Sequence, residues 1–234
     1  MPRCLILVLE GPLVAFGAEM VDARGPVRDW PGASLLTGLL ANALGWTRGM
    51  GDAHDRLQAR LDFAVALDRP GTPVRDFQTA ALGHGDTGWT TFGVPEGRAG
   101  GAGTYDSPHI RERDYRADAS VRVALMLREA AEPPTLDDLA AALTAPARPL
   151  FLGRKPCLPS RPVFEAVVEA PGVVEALAGG ADDTPLVMLD RPGLPDHLER
   201  LHVTDQRNFR SGVHGGERVF RRGRWTPLAT GGVS

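Results

Sequence analysis

The sequence predicts an α+β fold with a ferredoxin-like, RRM-like β-α-β-β-α-β core, a long insertion within it and a short β-rich C-terminal extension. Three observations carry that prediction. Cys4 to Leu9 is an uninterrupted apolar run of the kind a strand buried on both faces needs. Val121, Val123, Leu125 and Leu127 alternate with Arg122, Ala124, Met126 and Arg128, the period-two pattern of a half-buried strand. Between and after these strands lie two leucine-rich stretches at helical spacing, Leu35 to Leu44 and Leu136 to Leu143.

Taken in order, the first strand spans Cys4–Glu10 and is closed by Gly11-Pro12. Ser34 is the expected N-cap of the first helix and Gly45 its stop, and Trp30 is either a hydrophobic staple ahead of it or an exposed stacking surface. Residues 52–60 suggest a short second helix, and Leu61–Leu67 the second strand, ended by Arg69-Pro70-Gly71. From Thr72 to Arg116 periodicity fails. That length is read as a functional insertion with structure of its own, because compact domains rarely hold loops so long. After the third strand, Thr135-Leu136-Asp137-Asp138 resembles a capping box opening the next helix, and Pro149–Leu152 is the expected fourth strand. Val163–Val168 and Pro185–Leu189 predict further strands. The core with its insertion is assigned residues 1–158, and the extension packed on it residues 159–234.

Of 234 residues, 43% are hydrophobic and 24% charged, with a net charge of −3, which excludes disordered, collagenous and coiled-coil classes. No apolar run approaches the roughly 20 residues that span a bilayer, and no signal-like segment is apparent, so a cytoplasmic protein is expected. Cys4 and Cys157 form no C-x-x-C and no Cys/His cluster, and His197 and His202 are spaced to face different ways on a helix, so neither metal nor other cofactor is expected. Walker A, G-x-S-x-G, H-E-x-x-H and complete G-x-G-x-x-G motifs are absent, against the common NTPase, hydrolase and dehydrogenase classes.

Charge is informative. Lys155 is the only lysine among 26 basic residues, so cation clusters here are arginine clusters, suited to bidentate phosphate recognition and stacking. Residues 200–224 hold seven arginines against Asp205 and Glu217, a stretch that could sit on a polyanion. In a β-α-β-β-α-β core, the insertion and the end of the fourth strand emerge at one end of the sheet. Arg75, Arg111, Arg113 and Arg116 are therefore expected beside Arg154 and Lys155. Arg24 and Arg28 precede the first helix, and Phe77, Tyr105 and Tyr115 are interleaved with the insertion arginines, as stacking surfaces for unpaired bases or as anchors for the insertion. The central strands carry no aromatic residue, so RNA would bind at loops and edges rather than on the sheet face. Tyr105, His109 and Lys155 are also the residue types of a metal-independent ribonuclease. A protein-only scaffold is the third reading.

Five segments in order sharpen the choice: Leu9–Gly17, Pro31–Leu40, Arg75–Thr79, Arg113–Ala119 and Leu152–Cys157. Together they resemble the CasD-type subunits of type I-E CRISPR Cascade, in the RAMP superfamily, over roughly residues 3–165; Val14 and Phe16 stand where that family usually has Gln and Trp. The resemblance implies a non-catalytic subunit in antiviral defence that binds and caps the 5′ handle of the crRNA. It also implies that the 72–116 insertion is a thumb reaching toward the backbone subunit CasC, that the large subunit CasA packs nearby, and that target DNA is met only through the complex, whose sequence readout is base pairing. On this reading Arg24, Arg28, Arg154 and Lys155 contact the handle, Arg75, Arg111, Arg113, Arg116 and His109 grip the RNA backbone, and Phe77, Tyr105 or Tyr115 stacks a displaced nucleotide. Related type I-C subunits cleave their guide precursor, which keeps the Tyr105, His109 and Lys155 alternative open.

Overall fold

The computed structural model describes residues 1–20, 23–80, 109–177 and 184–224. Its elements are β1 (Arg3–Val14), β2 (Arg24–Gly25), α1 (Ala33–Ala43), α2 (Gly51–Arg60), β3 (Leu61–Arg69), β4 (Thr72–Ala80), β5 (His109–Leu127), α3 (Leu136–Thr144), β6 (Phe164–Glu169), β7 (Leu186–Leu189), β8 (Glu199–Arg207) and β9 (His214–Gly223). The strands form one sheet in the order β6-β1-β5-β3-β7-β9-β8, with β2 and β4 paired to the outer length of β5. Every pairing is antiparallel except β2 with β5. The fold is a mixed α/β architecture, a large antiparallel sheet with few helices. No helix among the described residues is long and apolar enough to cross a membrane.

The helices cover one face. Leu36 and Leu40 of α1, Leu57 of α2 and Leu139 of α3 pack with Leu5, Leu7, Leu9, Phe63, Val123 and Leu125 of the central strands. The opposite face is also covered. Cys4, Ile6, Ala64, Ala66 and Ala124 lie under Ala170, Val173, Val174 and Leu177, a segment that includes a 3-10 turn at Glu175–Leu177. Strand β5 is therefore buried on both faces over its second half, not half-buried as the alternation predicts. Ala124 is small enough to accept that second layer, and Arg122 escapes by pairing with Asp68 at 2.8 Å.

Four boundaries differ from expectation, each for a physical reason. Strand β1 continues through Gly11-Pro12, and its ladder with β5 skips Pro12, resuming at Leu13↔Ala117. The residue across from the skipped position, Asp118, has φ +55°. Proline lacks a ladder donor, and the irregularity spares it one. Pro149–Leu152 is not a strand. Its apolar residues are packing anchors, Leu150 and Leu152 being buried in the core, and the place beside β1 is taken by β6. The first helix is capped at Gly32, not Ser34. Its leading amide, Ala33 N–H, donates to Asp205 Oδ2 of β8 at 2.8 Å, so the cap comes from another part of the chain. Trp30 is buried in the core rather than exposed. Finally, the insertion is not aperiodic coil at its base. Strand β4 pairs with β5 from Thr72↔Ala117 to Ala80↔His109, a two-stranded ribbon running out of the sheet. Residues 72–79 are all exposed, so neither face of β4 needed an apolar stripe and alternation was invisible.

Other signals hold. Gly45, at φ +79°, ends α1 with Gly45 N–H on the Asn42 carbonyl and Trp46 N–H on the Ala41 carbonyl, a Schellman motif. Thr135 and Asp138 form the reciprocal capping box on α3.

Candidate nucleic-acid interface

The ribbon base is where the expected cations meet, and the pairing register sorts them onto two faces. Partners across an antiparallel ladder share a face, and neighbours along a strand alternate. Arg75 opposes Asp114, Phe77 opposes Glu112 and Pro73 opposes Arg116, which sets one face; Arg24, paired to Glu112 through β2, joins it. Val74 opposes Tyr115, Asp76 opposes Arg113 and Gln78 opposes Arg111, which sets the other, with Gly25 beside Arg113.

The first face is electrically closed. Arg24 Nη2 and Arg75 Nε reach the two oxygens of Asp114 at 3.0 and 2.8 Å, and Arg75 Nη1 lies 3.2 Å from Glu112. The hydrogen bond from Arg75 leads the effects that hold the Asp114 carboxyl below its ordinary range. Arg116 is paired with Asp29, which also binds Arg222 at 3.0 Å. Phe77 is 61% exposed and free to take a ring partner.

The second face keeps its charge. Arg113 Nη1 donates to the carbonyls of Ala23 and Glu112 at 3.3 and 3.2 Å, and Arg111 to that of Ile110 at 2.9 Å. Arg154 donates to the carbonyls of Asp114 and Gly25 at 2.8 and 2.9 Å, with its guanidinium 4.8 Å from the centre of the Tyr115 ring. Carbonyls orient a guanidinium without neutralising it. Lys155 is exposed and has no ion-pair partner among the described residues. The result is a pre-oriented arginine pair with a lysine at hand, geometry suited to phosphate oxygens. Tyr115 itself is 5% exposed and belongs to the core, under Arg154, so its ring supports the arginine.

Two glycines make this arrangement possible, and sequence reading singled out neither. Gly153 has φ +103°, and a Cβ there would stand 1.9 Å from the Ala15 carbonyl oxygen. The turn it opens is tied by Ala15 N–H to the Leu152 carbonyl and by Leu152 N–H to the Cys157 carbonyl, at 2.9 and 2.7 Å, which fixes Arg154 against the ribbon. At Gly25 a Cβ would lie 2.9 Å from Arg154 Nη2 and 3.3 Å from Arg113 Cδ. A glycine closing the apolar Pro149–Leu152 run and followed by Arg154-Lys155-Pro156, a turn signal beside two cations, was the available signal at Gly153.

Other candidates lie elsewhere. Arg28 turns away, to the carbonyls of Gly17 and Thr204 at 3.1 Å each and to Glu19. Tyr105 lies outside the described residues, as does the His109 side chain. The His109 backbone starts β5, which puts it about 17 Å along the strand from Asp114 at roughly 3.4 Å per residue. The Tyr105, His109 and Lys155 alternative therefore falls largely outside the described residues. The basic 200–224 stretch is the β8–β9 hairpin, and most of its arginines are paired: Arg218 with Asp205, Arg221 with Asp190, Arg222 with Asp29 and Arg210 with Asp52. The sheet face on which RNA-recognition domains stack bases is covered here by residues 170–177. No cluster of three or more metal-ligating side chains occurs among the described residues.

Compared with known proteins, the chain matches the family model for CRISPR-associated protein (Cas_Cas5) over residues 4–221. It is 31% identical over 173 residues to the CRISPR system Cascade subunit CasD of Escherichia coli (strain K12), covering 74% of this chain and 75% of that protein. It is also similar to a chain of a solved CRISPR RNA-guided surveillance complex, with 26% identity, a TM-score of 0.70, and 94% and 88% of the two chains covered. A crystal structure of a Cas protein matches with 27% identity and a TM-score of 0.62, over 94% and 93% of the two chains.

Proposed function

The chain belongs to the Cas5 family of CRISPR-associated proteins, and from that premise we propose that it is the non-catalytic Cascade subunit that grips the 5′ handle of the crRNA in a cytoplasmic type I-E complex. The observation that carries this reading is the second face of the ribbon base, where Arg113 and Arg154 are oriented by carbonyls and form no ion pair among the described residues, Asp76 across the ladder being engaged by Gln78, and Lys155 stands beside them. The strand order β6-β1-β5-β3, flanked by α1 and α3, supports a ferredoxin-like core, with β4 and the outer half of β5 as the base of the thumb. The thumb reaches over the guide toward CasC, CasA packs nearby, and target DNA is met through the assembled complex. Handle phosphates lie on Arg113, Arg154 and Lys155; Phe77 offers an exposed ring for a displaced nucleotide. Arg24, Arg75 and Arg116 hold the ribbon rigid through Asp114, Glu112 and Asp29 and present their remaining N–H groups at its edge. Arg28 braces the approach to α1.

The test is incubation of purified protein with labelled repeat RNA in EDTA, resolved on native and denaturing gels. A shifted band with intact RNA is expected. The double variant Arg154→Ala, Lys155→Ala should weaken handle binding and make its dependence on salt shallower by about 1.4 units of log K per unit of log salt, at roughly 0.7 per phosphate contact on a single strand. An unchanged salt slope in that variant would sink the assignment of these residues. A discrete cleavage product in EDTA, lost in His109→Ala, would replace the non-catalytic reading with a metal-independent ribonuclease.

A further inference from the structure

A cleft of 720 Å³ opens between the C-terminal half of α1, the α1–α2 link and the turn between β8 and β9, within the roughly 300–1,000 Å³ range of ligand-binding pockets. Its rim departs from the charge pairing seen along the rest of the hairpin. Only Arg210 has a carboxylate, Asp52. Arg48 is exposed and has no ion-pair partner among the described residues. Arg148 donates to the carbonyl of Trp46. Arg207 meets no carboxylate among the described residues, and its guanidinium sits 5.8 Å from the centre of the Phe209 ring. Behind these cations the rings are continuous: Trp46 packs edge-on against His54 with centroids 5.3 Å apart, and His54 stacks on Phe209 at 4.9 Å. The local field is felt by a neighbour. His214, across the ladder from Arg207, is held below the usual imidazole range by burial first and then by Arg207 and Arg28.

From this geometry we infer that the cleft is a second nucleic-acid contact, taking a single-stranded segment with Arg48, Arg148 and Arg207 on successive phosphates and the Trp46–His54–Phe209 wall against its bases. Three guanidiniums spread along a rim suit charges repeated along a chain, and the partly exposed Trp46 and Phe209 rings, backed by the buried His54, suit unpaired bases of any sequence. The site is separate from the ribbon base. Asp29, paired with Arg116, lies just ahead of the α1 N-terminus, whereas the cleft opens at the other end of that 11-residue helix, about 16 Å away at 1.5 Å per residue. The strand it holds is therefore not the stretch gripped by Arg154.

The experiment is fluorescence anisotropy of a labelled oligothymidylate, which has no handle sequence, titrated with the purified full chain over a range of salt concentrations. The triple variant Arg48→Ala, Arg148→Ala, Arg207→Ala should lose at least about tenfold in affinity, and its salt slope should become shallower by about 2, at roughly 0.7 per phosphate contact on a single strand. Because Arg148 also holds the Trp46 carbonyl, Arg48→Glu alone is the control for folding. With an unchanged melting temperature it should still weaken binding several-fold. Arg154→Ala, Lys155→Ala should lower affinity for handle RNA by more than it lowers that for oligothymidylate, and the triple variant should do the reverse, which separates this site from the one proposed above. Equal affinity of wild type and triple variant overturns the inference. So does wild-type protein that ignores the oligonucleotide but binds poly-glutamate through the same arginines, since the rim would then be a dock for an acidic protein.

Discussion

Arg154 shows how much of a binding residue lies outside the residue. Its guanidinium is aimed by two carbonyls and a ring, and those are in place because Gly153 adopts φ +103° against Ala15. Gly153→Ala should therefore destabilise the protein by about 2 kcal/mol or more, from backbone strain and overlap together. It should also lower handle affinity as Arg154→Ala does; a urea melt and a gel shift on the same preparation check both. The two faces of the ribbon make a second prediction. Arg113→Ala, which removes a charge held by carbonyls rather than by an ion pair, should cost about tenfold in RNA affinity, roughly the worth of one charge-assisted hydrogen bond. Arg75→Ala, which removes a charge already balanced by Asp114 and Glu112, should change affinity less than threefold; equal losses would show that the carboxylates do not screen the first face. That arginines cluster here was legible from their spacing around the insertion. Which of them are spent on carboxylates was not, because Asp29 and Asp114 reach their partners through strand register and chain reversal.

At the scale of elements, two helices illustrate two sources of a cap. Helix α3 carries its own in Thr135 and Asp138, three residues apart, and was readable for that reason. Helix α1 borrows Asp205 from β8, and that carboxylate is also held by Arg218, whose Nε donates to Asp205 Oδ1 at 2.7 Å. Thr135→Ala should cost about 1 kcal/mol. Asp205→Ala should cost about 3–5 kcal/mol, because it leaves the Arg218 charge without its partner in a largely buried site. Denaturant melts of the two variants would rank them, and an equal loss would mean that the Asp205–Arg218 pair is not closed in solution. The thiols belong to this scale too. Burial leads the effects that push Cys4 up to about 11, so neither it nor the buried Cys157 should react with thiol reagents near neutral pH until the sheet opens.

For the whole molecule, charge in sequence and charge in space differ. The acidic 165–199 stretch and the basic 200–224 stretch are separate blocks in the chain, yet Asp190 of the first binds Arg221 of the second at 2.8 Å. A pH dependence in two stages follows. The folded His214 imidazole resists protonation, so below about pH 6.5 the unfolded chain binds a proton the folded chain refuses and stability declines. Asp114 and Asp190, held low first by hydrogen bonds from Arg75 and Arg221, add stability that is present above about pH 4 and lost as pH falls through their folded values. Urea midpoints measured against pH should show both stages, and His214→Gln should remove the first alone.

What the sequence determined by itself was whatever depends on near neighbours. The apolar runs of β1 and β5, the capping box of α3, the glycine that ends α1, the absence of catalytic motifs and the arginine-rich insertion all rest on residues a few positions apart, where periodicity and turn chemistry act. Only the tertiary structure decided what depends on distant partners. It placed β6 instead of Pro149–Leu152 beside β1, covered the second face of the sheet with residues 170–177, and turned a coil-like insertion base into a paired ribbon. It also left charge on Arg113 and Arg154 while spending it on Arg75 and Arg116. The physical reason is common to all of these. Strand pairing and ion pairing join groups that chain length separates freely, so their outcome is set by which surfaces meet rather than by which residues adjoin.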